Sequence, residues 1–169
     1  MRFTTWTIGP TLASYLKGIL RPGLRTLECG SGLSTKIFIE AQCDHIALED
    51  DPRYAFNDPC VIVAPLEGKP PWYAVHPRGP FDVVLIDGPA AAKGGRWGIM
   101  RVAEKIIGPN SVVILDDTQR AEEKSLAMEL QKAFGLSAKE LLPKHPLDAG
   151  RHALILFSSR GEPIVRYED

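Results

Sequence analysis

Acidic residues recur in this sequence at one kind of place, the end of a short apolar run that reads as a strand. Glu28 ends the run beginning at Leu24, and Glu49 follows His45-Ile46-Ala47-Leu48. Asp87 follows residues 81–86, and Asp116 with Asp117 follows residues 111–115. In open α/β sheets, ligands bind beyond the carboxyl ends of the strands. A buried carboxylate there needs a partner or a ligand. One acid after a strand serves as a cap or a turn residue; acids at four strand ends point to a shared crevice.

The stretch Thr26-Leu27-Glu28-Cys29-Gly30-Ser31-Gly32-Leu33-Ser34-Thr35 supplies the floor of such a crevice. Two glycines one residue apart allow a sharp turn and a close approach of backbone to ligand. The helix that follows directs unpaired N–H groups at whatever lies above the turn. Glu49 lies 21 positions after Glu28, near the spacing of roughly 20 at which an acid reaches a ribose hydroxyl from the second strand. A dinucleotide fingerprint wants a third glycine where this chain has Thr35. The pattern therefore suits an adenosine-type ligand better than a pyrophosphate.

The elements that must position these residues follow from periodicity. Leu12, Leu16, Ile19 and Leu20 give residues 11–20 a helical face, with Pro10 before it and Pro22-Gly23 after. Strands are predicted at 24–29, 45–48, 60–64, 81–86, 111–115, 138–142 and 152–157. Leu33, Ile37, Phe38 and Ala41 mark a helix after the glycine turn. Ile99, Val102, Ala103, Ile106 and Ile107 mark another, ended by Gly108-Pro109-Asn110. Leu126, Ala127, Leu130 and Phe134 mark a third, stopped near Gly135. Residues 65–80 hold five prolines and read as a loop carrying Trp72 and Tyr73. That loop is either a lid over the crevice or a segment that packs its aromatics onto the domain. Unalternating apolar strands predict a doubly wound α/β fold with a mostly parallel sheet covered on both faces. The last two strands are too closely joined for a crossover helix and predict an antiparallel hairpin at one edge.

The 169 residues suffice for one domain, 1–169, with an N-terminal helical segment over 1–22 and a core over 24–157. Such a chain buries roughly 70% of its unfolded surface. A net charge of -1 gives no reason to expect nucleic acid or an anionic membrane as partner. No apolar stretch reaches the roughly 18–20 residues that span a bilayer, and residues 1–20 lack a signal-peptide layout. Cys29, Cys43 and Cys60 are odd in number and form no C-x-x-C pair. A cytoplasmic setting is expected, with the cysteines as small buried hydrophobes and the four histidines at the surface or in turns.

These residues resemble the class I S-adenosylmethionine-dependent methyltransferases over residues 24–157. Glu28-Cys29-Gly30-Ser31-Gly32 is similar to that family's first motif, and Glu49 stands where the family places its ribose-binding acid. Asp82-Val83-Val84-Leu85-Ile86-Asp87-Gly88-Pro89 resembles the fourth-strand motif, and residues 111–117 the fifth strand with its trailing acids. Arg96 and Asp116-Asp117-Thr118-Gln119-Arg120 match small members of that superfamily. The resemblance implies a Rossmann-like, seven-stranded methyltransferase fold and S-adenosyl-L-methionine as cofactor. It places Glu28, Gly30, Ser31, Gly32, Ser34, Thr35, Glu49 and Asp87 around that cofactor. A partial resemblance to metal-dependent catechol-type O-methyltransferases implies Asp87, Asp116 and Asp117 as ligands of Mg2+. The chain departs from that family in having Ala90 where a lysine is wanted.

The expected activity is O-methylation of a small molecule, with specificity supplied by loops or by another copy of the chain in a homo-oligomer. Removing a proton from an alcohol or phenol needs a base or a metal. Asp87 and Asp117 are the candidates, ahead of Lys93 and His145. Arg96 and Arg120 are positioned either to receive a substrate carboxylate or phosphate or to pair with the neighbouring acids. Two other classes stay open: a methyltransferase-like domain that binds without turnover, and a nicotinamide-dependent oxidoreductase. The missing third glycine and the lack of a Tyr-x-x-x-Lys speak against the oxidoreductase.

Overall fold

The structure is a computed structural model and describes residues 7–148 and 150–158. The first six residues of the N-terminal segment lie outside the described residues. Its elements in chain order are α1 (Pro10–Ile19), β1 (Arg25–Cys29), α2 (Leu33–Glu40), β2 (Asp44–Glu49), β3 (Val61–Val63), β4 (Leu66–Glu67), β5 (Trp72–Tyr73), β6 (Phe81–Ile86), α3 (Ala103–Ile106), β7 (Ile107–Leu115), α4 (Ala121–Phe134), β8 (Leu136–Leu141) and β9 (Ala153–Ser158). Seven strands form one sheet in the order β3-β2-β1-β6-β7-β9-β8. β3, β2, β1, β6 and β7 pair in parallel, and β9 runs antiparallel between β7 and β8. The expected C-terminal hairpin is therefore present, with its second strand inserted inside the sheet.

Strand alternation divides the apolar residues between two layers. Leu27, Cys29, Leu48, Ile86 and Leu115 pack toward α3 and α4. Leu85 and Ile114 face α1 and α2, where Leu16, Ile37 and Phe38 are buried. α1 starts with Pro at a first-turn position, and its Thr11 N–H is taken by Asp148 Oδ1 at 2.9 Å from 137 residues away. α4 stops where Gly135 adopts a left-handed conformation. Among the described residues no helix is long and apolar enough to cross a membrane.

Two predicted elements differ. The helix expected from Ile99 to Ile107 is a 3-10 segment, Trp97–Arg101, followed by the single turn α3. A Cβ on Gly98 would lie 2.1 Å from the Pro71 carbonyl oxygen, so the segment is pressed onto the preceding loop instead of completing a regular helix. Gly108-Pro109-Asn110 is not a helix stop but part of β7, which pairs with β6 from Phe81↔Ile107 and shifts register before Val83↔Val112. Ser111 pins that irregularity: its hydroxyl donates to the Phe81 carbonyl at 2.5 Å and accepts from Gly108 N–H at 2.8 Å. Within residues 65–80, β4 and β5 form a small antiparallel ribbon.

Candidate functional site

Cys29, Leu48, Ile86 and Leu115 are paired in register across four strands. Gly30, Glu49, Asp87 and Asp116, one residue further on each strand, therefore share the carboxyl rim of the sheet. Glu28 lies below that rim, opposite Ala47 and Leu85. Register alone thus separates one acid from the rest.

Glu28 is fully buried beneath the glycine turn. Its Oε2 accepts the Thr35 hydroxyl at 2.5 Å, and the Thr35 oxygen accepts Gly32 N–H at 2.9 Å. This relay ties the start of α2 to β1 and explains why a hydroxyl residue stands where a third glycine was sought. His45 Nε2 lies 3.5 Å from the same Glu28 oxygen. Its Nδ1 is 2.8 Å from Thr26 Oγ1, and its ring stacks on Phe38 at 4.4 Å. His45 is therefore a buried strand residue, not the surface or turn histidine expected. Glu28 orders the loop from behind, with Thr35 and Ser34 buried in the first turn of α2.

Glu49 lies at the rim against the turn. Its Oε2 accepts Ser31 N–H at 3.1 Å and faces the Ser31 hydroxyl at 3.3 Å. Its Oε1 accepts Asp50 and Asp51 N–H at 2.9 and 3.0 Å. The two glycines have different reasons. Gly30 has φ 90, and a Cβ there would lie 3.1 Å from Gly88 N, so it serves the close approach of the β6 turn. Around Gly32 a Cβ would meet nothing within 4 Å, so the open side of the turn is here. A rim carboxylate beside open backbone fits the ribose and amino-acid end of an adenosyl sulfonium, with Glu49, Ser31 and Gly32 as the residues that would hold it.

Asp87, Asp116 and Asp117 bring one carboxylate oxygen each within 4.8 Å of one another. Arg96 is inserted among them. Its side chain is 4% exposed, and Nη2 lies 3.0 Å from Asp87 Oδ1 and 2.9 Å from Asp117 Oδ2. Nη2 also donates to the Asp87 carbonyl at 2.6 Å, and Nη1 to the Asp116 carbonyl. Arg120 Nη1 is 3.1 Å from Asp117 Oδ2, and Arg151 Nε is 3.9 Å from Asp117 Oδ1. Asp117 has φ 60, a left-handed conformation that a short polar residue tolerates. Burial raises the Asp87 carboxyl above the usual range, partly offset by Arg96 and reinforced by Asp117. Burial, with Asp87 and Asp117 beside it, pushes Asp116 up to about 8.

The metal expectation is tested by this geometry. Mg2+ requires near-octahedral oxygens at roughly 2.0–2.1 Å. Here a guanidinium bridges two of the three carboxylates and satisfies the backbone carbonyl of the third residue. The arrangement does not fit a divalent ion. Nor is Arg96 available to a substrate anion, since both terminal nitrogens bond within the cluster; Arg120, 48% exposed, retains that capacity.

Other residues resolve alternatives left open by sequence. Trp72 and Tyr73 are buried and pack edge to face at 5.2 Å, so the loop packs its aromatics into the core and is no aromatic lid. Tyr73 Oη reaches the Gly88 turn. Lys93 pairs with Asp50 and lies 3.8 Å from Asp51, bridging the loops after β6 and β2. His145 N–H donates to the Asp148 carboxylate. Sequence reasoning missed His45, Arg151 and Asp148. Only His45 left a signal, its pairing with Thr26 on the neighbouring predicted strand.

Neither a family model nor a curated protein matches the chain. Solved structures do. A methyltransferase from Pyrococcus furiosus is 21% identical with a TM-score of 0.59, covering 85% of this chain and 79% of that one. An O-methyltransferase from Bacillus cereus in complex with SAH is 17% identical with a TM-score of 0.61, covering 92% and 84%. An rRNA methylase from Streptococcus thermophilus is 8% identical with a TM-score of 0.56, covering 90% and 97%. The likeness is one of architecture, and the chain has the Rossmann-like fold of S-adenosylmethionine-dependent methyltransferases.

Proposed function

We propose that this chain is an S-adenosylmethionine-dependent methyltransferase acting on an oxygen of a small molecule. The observation that carries the reading is Glu49, a rim carboxylate held against the Gly30-Ser31-Gly32 turn in a fold like that of solved methyltransferases. S-adenosylmethionine, when bound, supplies an electrophilic methyl group on a sulfonium. The chain's own residues supply position and a proton acceptor. Glu49 accepts ribose hydroxyls, exchanging its contact with the Ser31 hydroxyl for them. Gly32 leaves the backbone open to the amino-acid end, while Glu28 and Thr35 fix the turn from beneath. Orientation of this kind contributes up to roughly 7–11 kcal/mol in favourable cases.

Asp87 takes the acceptor's proton in this reading. Its side chain is 24% exposed against 7% for Asp117, and burial makes it a stronger base than an ordinary carboxylate. Asp117, committed to Arg96 and Arg120, holds the cluster in place. Arg120 offers a donor to a carboxylate or phosphate on the substrate. The chain's net charge of -1 favours a small acceptor over a polyanion such as RNA.

Calorimetry with S-adenosylhomocysteine tests the reading directly. Binding is expected, and none at about 1 mM ligand, where a Kd of that size is a binding free energy of roughly -4 kcal/mol, would overturn it. Binding without methyl transfer in a broad acceptor screen would leave a cofactor-binding domain instead.

A further inference from the structure

We infer that Arg96 is the resident cation of the Asp87–Asp116–Asp117 cluster: it holds the place a divalent ion takes in a three-carboxylate site and keeps such ions out. The inference does not rest on the methyltransferase reading; it follows from the cluster itself. Three carboxylates on adjacent strand ends, with oxygens within 4.8 Å, cannot all ionise in a buried setting without a cation. That cation is already part of the chain. Arg96 is nine-tenths or more buried, and one of its terminal nitrogens serves Asp87 and Asp117 together.

The position is built, not incidental. Arg96 enters from the loop after β6, immediately beyond Gly94 and Gly95, which both take left-handed backbone conformations. Its Nη1 and Nη2 are anchored on the carbonyls of Asp116 and Asp87, the first residues past β7 and β6. The guanidinium thus bridges the two strand ends as well as the carboxylates of Asp87 and Asp117. A planar fork with fixed donors suits that double task, which a hydrated point charge such as lysine performs less well. By holding Oδ1 of Asp87, Arg96 also acts as a positioning residue for the acid that lies nearest the crevice.

The metal alone is the probe. Mn2+ binding is measured by electron paramagnetic resonance, together with the Mn2+ dependence of the melting temperature, on the wild-type chain and on Arg96→Ala, Arg96→Gln and Arg96→Lys. The wild type should show no specific Mn2+ binding up to about 1 mM and no shift of its melting temperature, since only an ion that binds the folded state raises it. Arg96→Ala and Arg96→Gln should melt lower without metal, through repulsion of the carboxylates. Each should then bind Mn2+ at least about tenfold tighter than wild type, a difference of roughly 1.4 kcal/mol, and regain melting temperature as it does. Arg96→Lys should exclude Mn2+ as the wild type does, because it keeps the charge. Wild-type Mn2+ binding that is lost in Asp87→Asn or Asp117→Asn would overturn the inference. So would a folded Arg96→Ala or Arg96→Gln that binds Mn2+ no better than wild type. Should neither neutral variant fold, the wild-type measurement still decides.

Discussion

Replacing Glu49 with Gln separates its two tasks, because the carboxylate serves different donors with its two oxygens. Oε2 faces Ser31, and Oε1 takes the amide hydrogens of Asp50 and Asp51. A glutamine has one acceptor oxygen and one NH2 group that can only donate. If the oxygen faces Asp50 and Asp51, the NH2 opposes Ser31 N–H and cannot accept from a ribose. If it turns over, two loop amides lose their acceptor. Either way at least one charge-assisted hydrogen bond is lost, worth about 1.5–3 kcal/mol. At 1.4 kcal/mol per factor of ten this is a weakening of about 10- to 150-fold in Kd. The assay is calorimetric titration of wild type and Glu49→Gln with S-adenosylhomocysteine, beside thermal melts of both without ligand. Loss of affinity should exceed what the melts explain, since the free protein gives up one contact while the bound state gives up the ribose hydrogen bonds as well. An unchanged Kd in a folded Glu49→Gln protein would refute the assignment of Glu49 to the ligand.

Two further substitutions probe how the site is held. Gly30→Ala puts a Cβ at φ 90 and 3.1 Å from Gly88 N; left-handed strain of about 1–2 kcal/mol plus displacement of the β6 turn should lower stability by about 2–4 kcal/mol in urea unfolding, and a near-neutral result would remove the close-packed turn from the argument. Asp148→Ala strips the acceptor from Thr11 N–H and hydroxyl, Lys144 N–H and His145 N–H, with an expected loss of about 3–4 kcal/mol. Burial alone would raise the Asp148 carboxyl, but these hydrogen bonds outweigh it and hold it below its usual range. Its stabilisation is therefore full above the unfolded carboxyl value of about 4 and is lost as pH falls through the folded value. The gap between wild type and Asp148→Ala should accordingly shrink in acid, and a gap that widens there would contradict the assignment.

The architecture was legible because period-two and period-3.6 patterns report burial directly. The β1 turn, α2 and the closing hairpin stand close to where those patterns put them. The stretch from 97 to 107 misled because its apolar spacing suits a helix while Gly98 is pressed against Pro71, a tertiary contact that spacing does not encode. Trp72 and Tyr73 left two readings open, a lid or a loop packed on the domain, and β4 and β5 turn both rings into the core, which selects the second. Arg96 carried two open readings, and the packing of β6 against β7, which places Asp87 and Asp116 side by side, selects the ion-pair one.

Acids at strand ends look alike in sequence and acquire their functions from register. Glu28 is the last-but-one residue of β1 and so falls inside the sheet, on the layer that holds α2. There it needs an internal partner, which Thr35 supplies at Oε2, with His45 Nε2 3.5 Å from the same oxygen. Glu49, level with Gly30, stands one residue beyond the paired row and meets the turn that Glu28 braces from below. Asp87 and Asp116 stand at the same level on the other side of β1, where Arg96 bridges the carboxylates of Asp87 and Asp117 and takes the backbone carbonyl of Asp116. A one-residue slip of β1 would bring Glu28 to the rim and leave Thr35 and His45 without it. The buried Glu28–Thr35 hydrogen bond is therefore made only in the register that also places Glu49 and Asp87. Thr35→Val, which keeps the shape and removes the hydroxyl, should loosen the turn at 30–32. The loosening would appear as faster amide exchange at Ser31 and Gly32, with exchange in β6 and β7 unchanged; equal exchange at the turn in both proteins would show that Glu28 does not brace it.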